Sequence, residues 1–165
     1  MFRKWITVTA LMMCFSFSQF SLAGLPDSSK LQALKNKLQK RIEGFQKVMI
    51  STNKCLTVTS NNMQQIGAGV NIWDCDQTSV KQKWKYENEN LINSGNLCLQ
   101  NTGAAINNQK CNGSVDQKWR IEGAMIKNSK AQCLQVVAAE INKNGGLVQI
   151  ANCTNQPHQH WRFSK

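Results

Sequence analysis

Histidine is scarce. Only His158 and His160 occur in 165 residues, and no two cysteines stand in a Cys-x-x-Cys spacing. Zinc centres and thiol redox motifs draw on those residues at close spacing, so no metal and no cofactor is expected. The same scarcity leaves no Ser/His/Asp or Cys/His set for nucleophilic chemistry, and the chain reads as non-catalytic. Acidic residues are also few, 9 against 20 Lys and Arg, for a net charge of +11. Long apolar runs are missing after the first twenty or so residues, so no later segment is expected to span a bilayer.

The one apolar run, Trp5 to Phe20, follows Arg3 and Lys4 and ends at Ser21-Leu22-Ala23. Basic, apolar and small residues in that order predict a secretory signal, residues 1–23. Ser16, Ser18 and Gln19 interrupt the run, which tells against a retained anchor. Loss of Cys14 with the signal leaves six cysteines: Cys55, Cys75, Cys98, Cys111, Cys133 and Cys153. An even set in a small exported chain predicts disulfides and an oxidising compartment, extracellular or periplasmic.

The remaining cysteines mark three copies of one unit, aligned on Cys-Leu. Copy one reads KCLTV, VNIWDC, KQKW; copy two LCLQN, INNQKC, DQKW; copy three QCLQV, VQIANC, HQHW. From Trp84 to Cys98 and from Trp119 to Cys133 is 14 positions both times. Equal spacing of unlike residues at both junctions marks a true repeat. Each copy alternates short β-prone stretches with turns such as Asn61-Asn62, Gly103 and Asn144-Gly145-Gly146, which predicts an all-β barrel or sandwich. Placement of two cysteines per copy, at the ends of a loop, favours Cys55–Cys75, Cys98–Cys111 and Cys133–Cys153. If each Gln-x-Trp lies on a strand, its Gln and Trp share a face. Three tryptophans, Trp84, Trp119 and Trp161, can then fill a common core that no copy could fill alone.

Cys-Leu, a mid-repeat cysteine and a closing Gln-x-Trp, three times over, resemble the ricin-type (R-type) β-trefoil lectins, over residues 48–165. The resemblance implies twelve short strands, six closing a barrel and six capping it as hairpins, with up to three shallow sugar pockets. Such pockets use an aspartate two residues after the first cysteine, an aromatic platform two before the second, and polar partners including the Gln of Gln-x-Trp. Carried onto copy one, this predicts a carbohydrate site of Thr57, Asn71, Trp73, Lys81 and Gln82, with Thr57 at the aspartate position. Copy two offers Gln100, Asn107, Gln109, Asp116 and Gln117 but no aromatic. Copy three offers a weaker set, Gln135, Gln149, His158 and Gln159, with Ala151 at the platform. No copy has the aspartate, which tells against galactose recognition of the usual kind.

Between signal and repeats, residues 24–47 carry a dense positive charge. Over residues 29–48, Leu31, Leu34, Leu38, Ile42, Phe45 and Val48 recur at helical intervals, with Asp27 and a following serine as cap. This predicts a basic amphipathic helix with three uses open to it: docking on the repeats, recruiting a protein partner, or peripheral contact with anionic membrane. The expected function is a secreted glycan-binding protein. The alternative is an interaction or delivery subunit of a secreted toxin-like assembly with degenerate sugar sites. A nucleic-acid partner is not expected.

Overall fold

The computed structural model describes residues 27–33, 36, 44–103 and 105–164. The expected signal at 1–23 and most of the expected basic helix, including Leu34, Leu38 and Ile42, lie outside the described residues. The chain divides into two compact units, residues 1–39 and 40–165.

In the first unit residues 28–33 are helical and exposed. Asp27 caps them as expected: its carboxylate accepts the Ser29 N–H at 3.1 Å and the Ser29 hydroxyl at 2.8 Å, and its carbonyl accepts the Leu31 N–H. No described helix is long and apolar enough to cross a membrane. The helix does not run to Val48. Gly44 turns the chain with φ at 92°, the Gln46 backbone pairs with Trp84, and Val48 opens a strand with its side chain fully buried. Phe45 and Val48 continue the helical spacing of the segment before them, but backbone pairing into a sheet outweighs the weak local preference for helix.

Among its described residues the second unit contains twelve strands. Copy one supplies β1 (Val48–Ile50), β2 (Lys54–Val58), β3 (Val70–Asp74) and β4 (Trp84–Glu87). Copy two supplies β5 (Asn90–Asn93), β6 (Leu97–Asn101), β7 (Ile106–Lys110) and β8 (Trp119–Glu122). Copy three supplies β9 (Met125–Asn128), β10 (Cys133–Val136), β11 (Gly146–Ala151) and β12 (Trp161–Phe163). The middle pair of each copy forms a hairpin, β2–β3, β6–β7 and β10–β11.

The outer strands close a ring of six. Antiparallel pairs β4–β5, β8–β9 and β12–β1 supply half its seams. The other three are made by the backbone N–H groups of the repeated tryptophans. Trp84 donates to the Gln46 carbonyl at 2.8 Å, Trp119 to Glu89 at 2.7 Å and Trp161 to Ala124 at 2.7 Å. The indoles point the other way, into one core shared with Val48, Leu56, Leu99 and Leu134. There each indole N–H donates to the leucine carbonyl of its own copy's Cys-Leu, Leu56, Leu99 or Leu134, at 2.8 Å. A buried donor needs such a partner. Cys-Leu and Gln-x-Trp therefore recur together because they are hydrogen-bonded to each other. The fold is a β-trefoil, and closure leaves the barrel without free edges.

The three disulfides form within copies as expected, Cys55–Cys75, Cys98–Cys111 and Cys133–Cys153.

Close approach between loops imposes its own demand at Gly95, in the turn between β5 and β6. A Cβ there would lie 2.1 Å from the Met63 carbonyl oxygen. Gly95→Ala is expected to destabilise the trefoil by about 2–3 kcal/mol, since backbone on both sides must move. Denaturant midpoints of variant and wild type test this, and equal midpoints would contradict it.

Candidate functional site

The register of β2 against β3 sets Cys55 opposite Trp73 and Thr57 opposite Asn71. Alternation along β3 buries Val70 and Ile72 and turns Asn71 and Trp73 outward. Trp73 is 48% exposed, a large apolar ring held on a rigid strand beside the Cys55–Cys75 disulfide. A concavity of about 410 Å³ opens next to it, within the ordinary range for small-molecule sites. All five residues expected for copy one, Thr57, Asn71, Trp73, Lys81 and Gln82, line that concavity.

Their roles differ from expectation in one respect. Gln82 is not on a strand: it ends a single 3-10 turn, Val80–Gln82, and is 1% exposed. Its amide is consumed inside the protein. The oxygen accepts the Asp76 N–H at 2.8 Å, and the nitrogen donates to the Asp74 carbonyl at 2.8 Å and the Thr57 hydroxyl at 3.2 Å. Thr57 in turn donates to the Cys55 carbonyl at 2.7 Å. Gln82 and Thr57 thus hold up the floor of the concavity by tying the loop after Cys75 to β2. Trp73, Asn71 and Lys81 remain as the more open of the five.

The same brace recurs. Gln117 accepts the Asn112 N–H and donates to the Lys110 carbonyl and the Gln100 side chain. Gln159 accepts the Thr154 and Asn155 N–H groups and donates to the Asn152 carbonyl and the Gln135 side chain. In copies two and three a glutamine side chain at the aspartate position supplies the acceptor that the threonine hydroxyl supplies in copy one. Of the weaker third-copy set, Gln135 and Gln159 are buried and bonded to each other, while Gln149 and His158 keep some exposure. Gln149 stands opposite Gln135 on β11 and faces a different depression.

Asp74 and Asp76 line the copy-one concavity without having been expected there. Asp74 accepts from Lys54 at 2.6 Å and from the Asn144 amide at 2.7 Å, and its own N–H donates to Asn144 at 2.8 Å. These bonds, Lys54 foremost, hold the Asp74 carboxyl below its ordinary 3.8. Asp76 accepts the Thr78 N–H and hydroxyl, each at 2.8 Å, and is lowered for that reason. Two ionised carboxylates therefore stand at a pocket whose usual aspartate position holds Thr57. The only signal in the chain was their placement on either side of Cys75. Through Asn144 the copy-three loop is fastened beside Trp73, and a Cβ on Gly145 would lie 3.8 Å from its ring.

A carboxyl held low in the folded state stabilises it above the unfolded value, and the stabilisation is lost as pH falls through the folded one. The thermal midpoint of wild type should therefore exceed that of Asp74→Asn near about pH 7, and the gap should close in acid. A gap that persists undiminished at a pH well below the folded value as well would show that the ion pair is not its source.

A family model for the ricin-type β-trefoil lectin domain matches residues 45–161. The chain belongs to this lectin-domain family. Solved structures agree on the fold of the ricin-type trefoil. The C-half of the earthworm R-type lectin, determined with GalNAc, is 16% identical with a TM-score of 0.66, covering 73% of this chain and 97% of that one. The Vibrio vulnificus hemolysin/cytolysin β-trefoil lectin, determined with N-acetyl-D-lactosamine, is 19% identical with a TM-score of 0.60, over 73% and 93%. The designed threefold-symmetric ThreeFoil is 18% identical with a TM-score of 0.63, over 74% and 99%. Among curated proteins none matches the chain by sequence. At such identities the likeness speaks for fold, and the site must be judged on its own residues.

Proposed function

We propose that this protein is a secreted, non-catalytic lectin that binds glycans through the copy-one concavity. The observation that carries the reading is Trp73, half-exposed on a rigid strand beside a depression ringed with hydrogen-bonding groups. A sugar offers an apolar C–H face to a ring and hydroxyls to polar neighbours, and this site presents both kinds of partner. Trp73 stacks on the sugar; Asn71, Lys81, Asp74 and Asp76 take its hydroxyls; Thr57 and Gln82 keep the floor in place. The earthworm and Vibrio lectins, each determined with a sugar bound, support a glycan ligand for the fold. With the aspartate position held by Thr57, hydroxyl recognition passes to the carboxylates flanking Cys75. Three disulfides suit an oxidising compartment outside the cytoplasm.

A printed glycan array probed with wild type and Trp73→Ala tests this. Binding that depends on Trp73 is expected; no binding by wild type, or equal binding by both, rejects it.

A further inference from the structure

A second depression, of about 500 Å³, lies where the hairpins of all three copies meet. Copy one contributes Thr59 and Asn71, copy two Asn101 and Ile106, and copy three Leu147 and Gln149. It shares Thr59 and Asn71 with the concavity beside Trp73, so the two are joined at a common wall.

The strand register explains the continuity. β11 pairs with β3, setting Leu147 opposite Asn71 and Gly146 opposite Ile72. Across β2, β3 and β11, Thr57, Asn71 and Leu147 therefore form one row on a single face, with Thr57 buried in its floor. Trp73 lies one row to one side of it, next to Gly145. On the other side Gly69 meets Thr59, which donates both its N–H and its hydroxyl to the Gly69 carbonyl. From Trp73 to Gly69 the strip runs roughly 13 Å along the chain, longer than one pyranose ring.

Two further observations indicate what occupies the strip. The Asn71 side-chain oxygen, in the shared wall, is buried without a hydrogen-bond partner among the described residues. Buried acceptors are seldom left so, and a donor from a ligand crossing that wall would satisfy it. None of the described residues lining the second depression is ionisable: amides and a hydroxyl alternate with Ile106, Leu147 and Val148. That lining suits hydroxyls and C–H faces and offers nothing to an anionic group. Leu147, 53% exposed at the lip, gives a second apolar surface for a ring.

We infer that the ligand is an oligosaccharide whose terminal sugar stacks on Trp73 and whose neutral inner residues cross Asn71 into the depression between the three copies. The inference rests on the glycan reading above and adds the ligand's length and the charge of its inner part. The binding site then belongs to the assembled trefoil, because copies two and three build the far end of a pocket that begins in copy one.

The test uses the full mature chain and neutral linear glycans ending in glucose, galactose or an N-acetylhexosamine, each offered as mono-, tri- and pentasaccharide. Titration calorimetry on wild type, Trp73→Ala and the double variant Leu147→Ala/Gln149→Ala gives affinities, and thermal midpoints confirm that each variant is folded. For a probe whose binding depends on Trp73, the pentasaccharide should bind wild type at least about tenfold more tightly than the monosaccharide. The double variant should lose that gain and keep the monosaccharide affinity. Backbone amide shifts of Ile106 and Leu147 should respond to the longer probes alone. Equal affinity for short and long probes, or a double variant that binds the pentasaccharide like wild type, overturns the extended site while leaving Trp73-dependent binding intact. Absence of any Trp73-dependent binding rejects the glycan reading and the extended site together.

Discussion

Trp119→Ala is expected to remove about 4 kcal/mol of stability. The indole is fully buried in the common core, and removing a buried tryptophan ordinarily costs about 3–5 kcal/mol through lost contacts and the cavity left behind. The variant also leaves the Leu99 carbonyl without the 2.8 Å bond from the indole N–H. An unmet acceptor adds about 1–3 kcal/mol unless water reaches it. The backbone seam to Glu89 survives, because it uses the main-chain N–H. Against a typical total of about 5–15 kcal/mol, the change lowers the thermal midpoint by about 10–20 °C. Urea unfolding of the oxidised protein measures it. Trp119→Phe separates the two causes, since it restores most of the volume but not the hydrogen bond. A loss below about 1 kcal/mol would mean that the core can collapse around the gap, contrary to the close packing expected of it.

Trp73→Ala is expected to have the opposite profile: little change in stability and a large loss of binding. Its ring is half-exposed and no described residue hydrogen-bonds to it, so its removal should move the unfolding free energy by only about 0.5 kcal/mol. For a ligand stacked on that ring, truncation of an anchoring tryptophan commonly costs about 2 kcal/mol or more, roughly thirtyfold in affinity. Trp73→Phe should fall between, retaining an apolar face of smaller area. Calorimetric titration with the tightest probe from the array, on variants of matched thermal midpoint, makes the comparison. A stability loss as large as that of Trp119→Ala would reassign Trp73 to structure.

The contrast between these two tryptophans shows how far local pattern carries. Trp119 belongs to a motif recurring at matched spacing, and a residue repeated by the fold's own symmetry serves the fold. Trp73 has no counterpart at its position, where copy two has Gln109 and copy three Ala151. Breaking the symmetry is what singles it out for the proposed sugar site. The glutamines were harder to read. Alternation along a strand places Gln82 beside Trp84 on one face, but the single 3-10 turn directs its amide to the Asp76 N–H, the Asp74 carbonyl and the Thr57 hydroxyl, three internal partners that consume it. The spacing is the same in either geometry, so spacing could not distinguish a ligand-facing amide from a bracing one. At the chain's other end, Phe45 and Val48 continued the helical spacing of the segment before them and yet stand at the entry to the barrel, because Gln46 finds Trp84 across the seam.

The amino-acid sequence by itself determined the threefold repeat, favoured the disulfide pairing within each copy and, through the resemblance its repeated motifs carry, pointed to the β-trefoil. Each of these is written as a local pattern repeated along the chain, and identical units meet identical neighbours. Only the tertiary structure decided that Asn144, 70 positions after Asp74, fastens a copy-three loop beside Trp73, and that Asn71 and Leu147 share one face. It alone placed a depression between the three hairpins. Those pairings join residues of different copies, whose meeting is set by the twist and closure of the whole barrel, and no short stretch of sequence records that geometry.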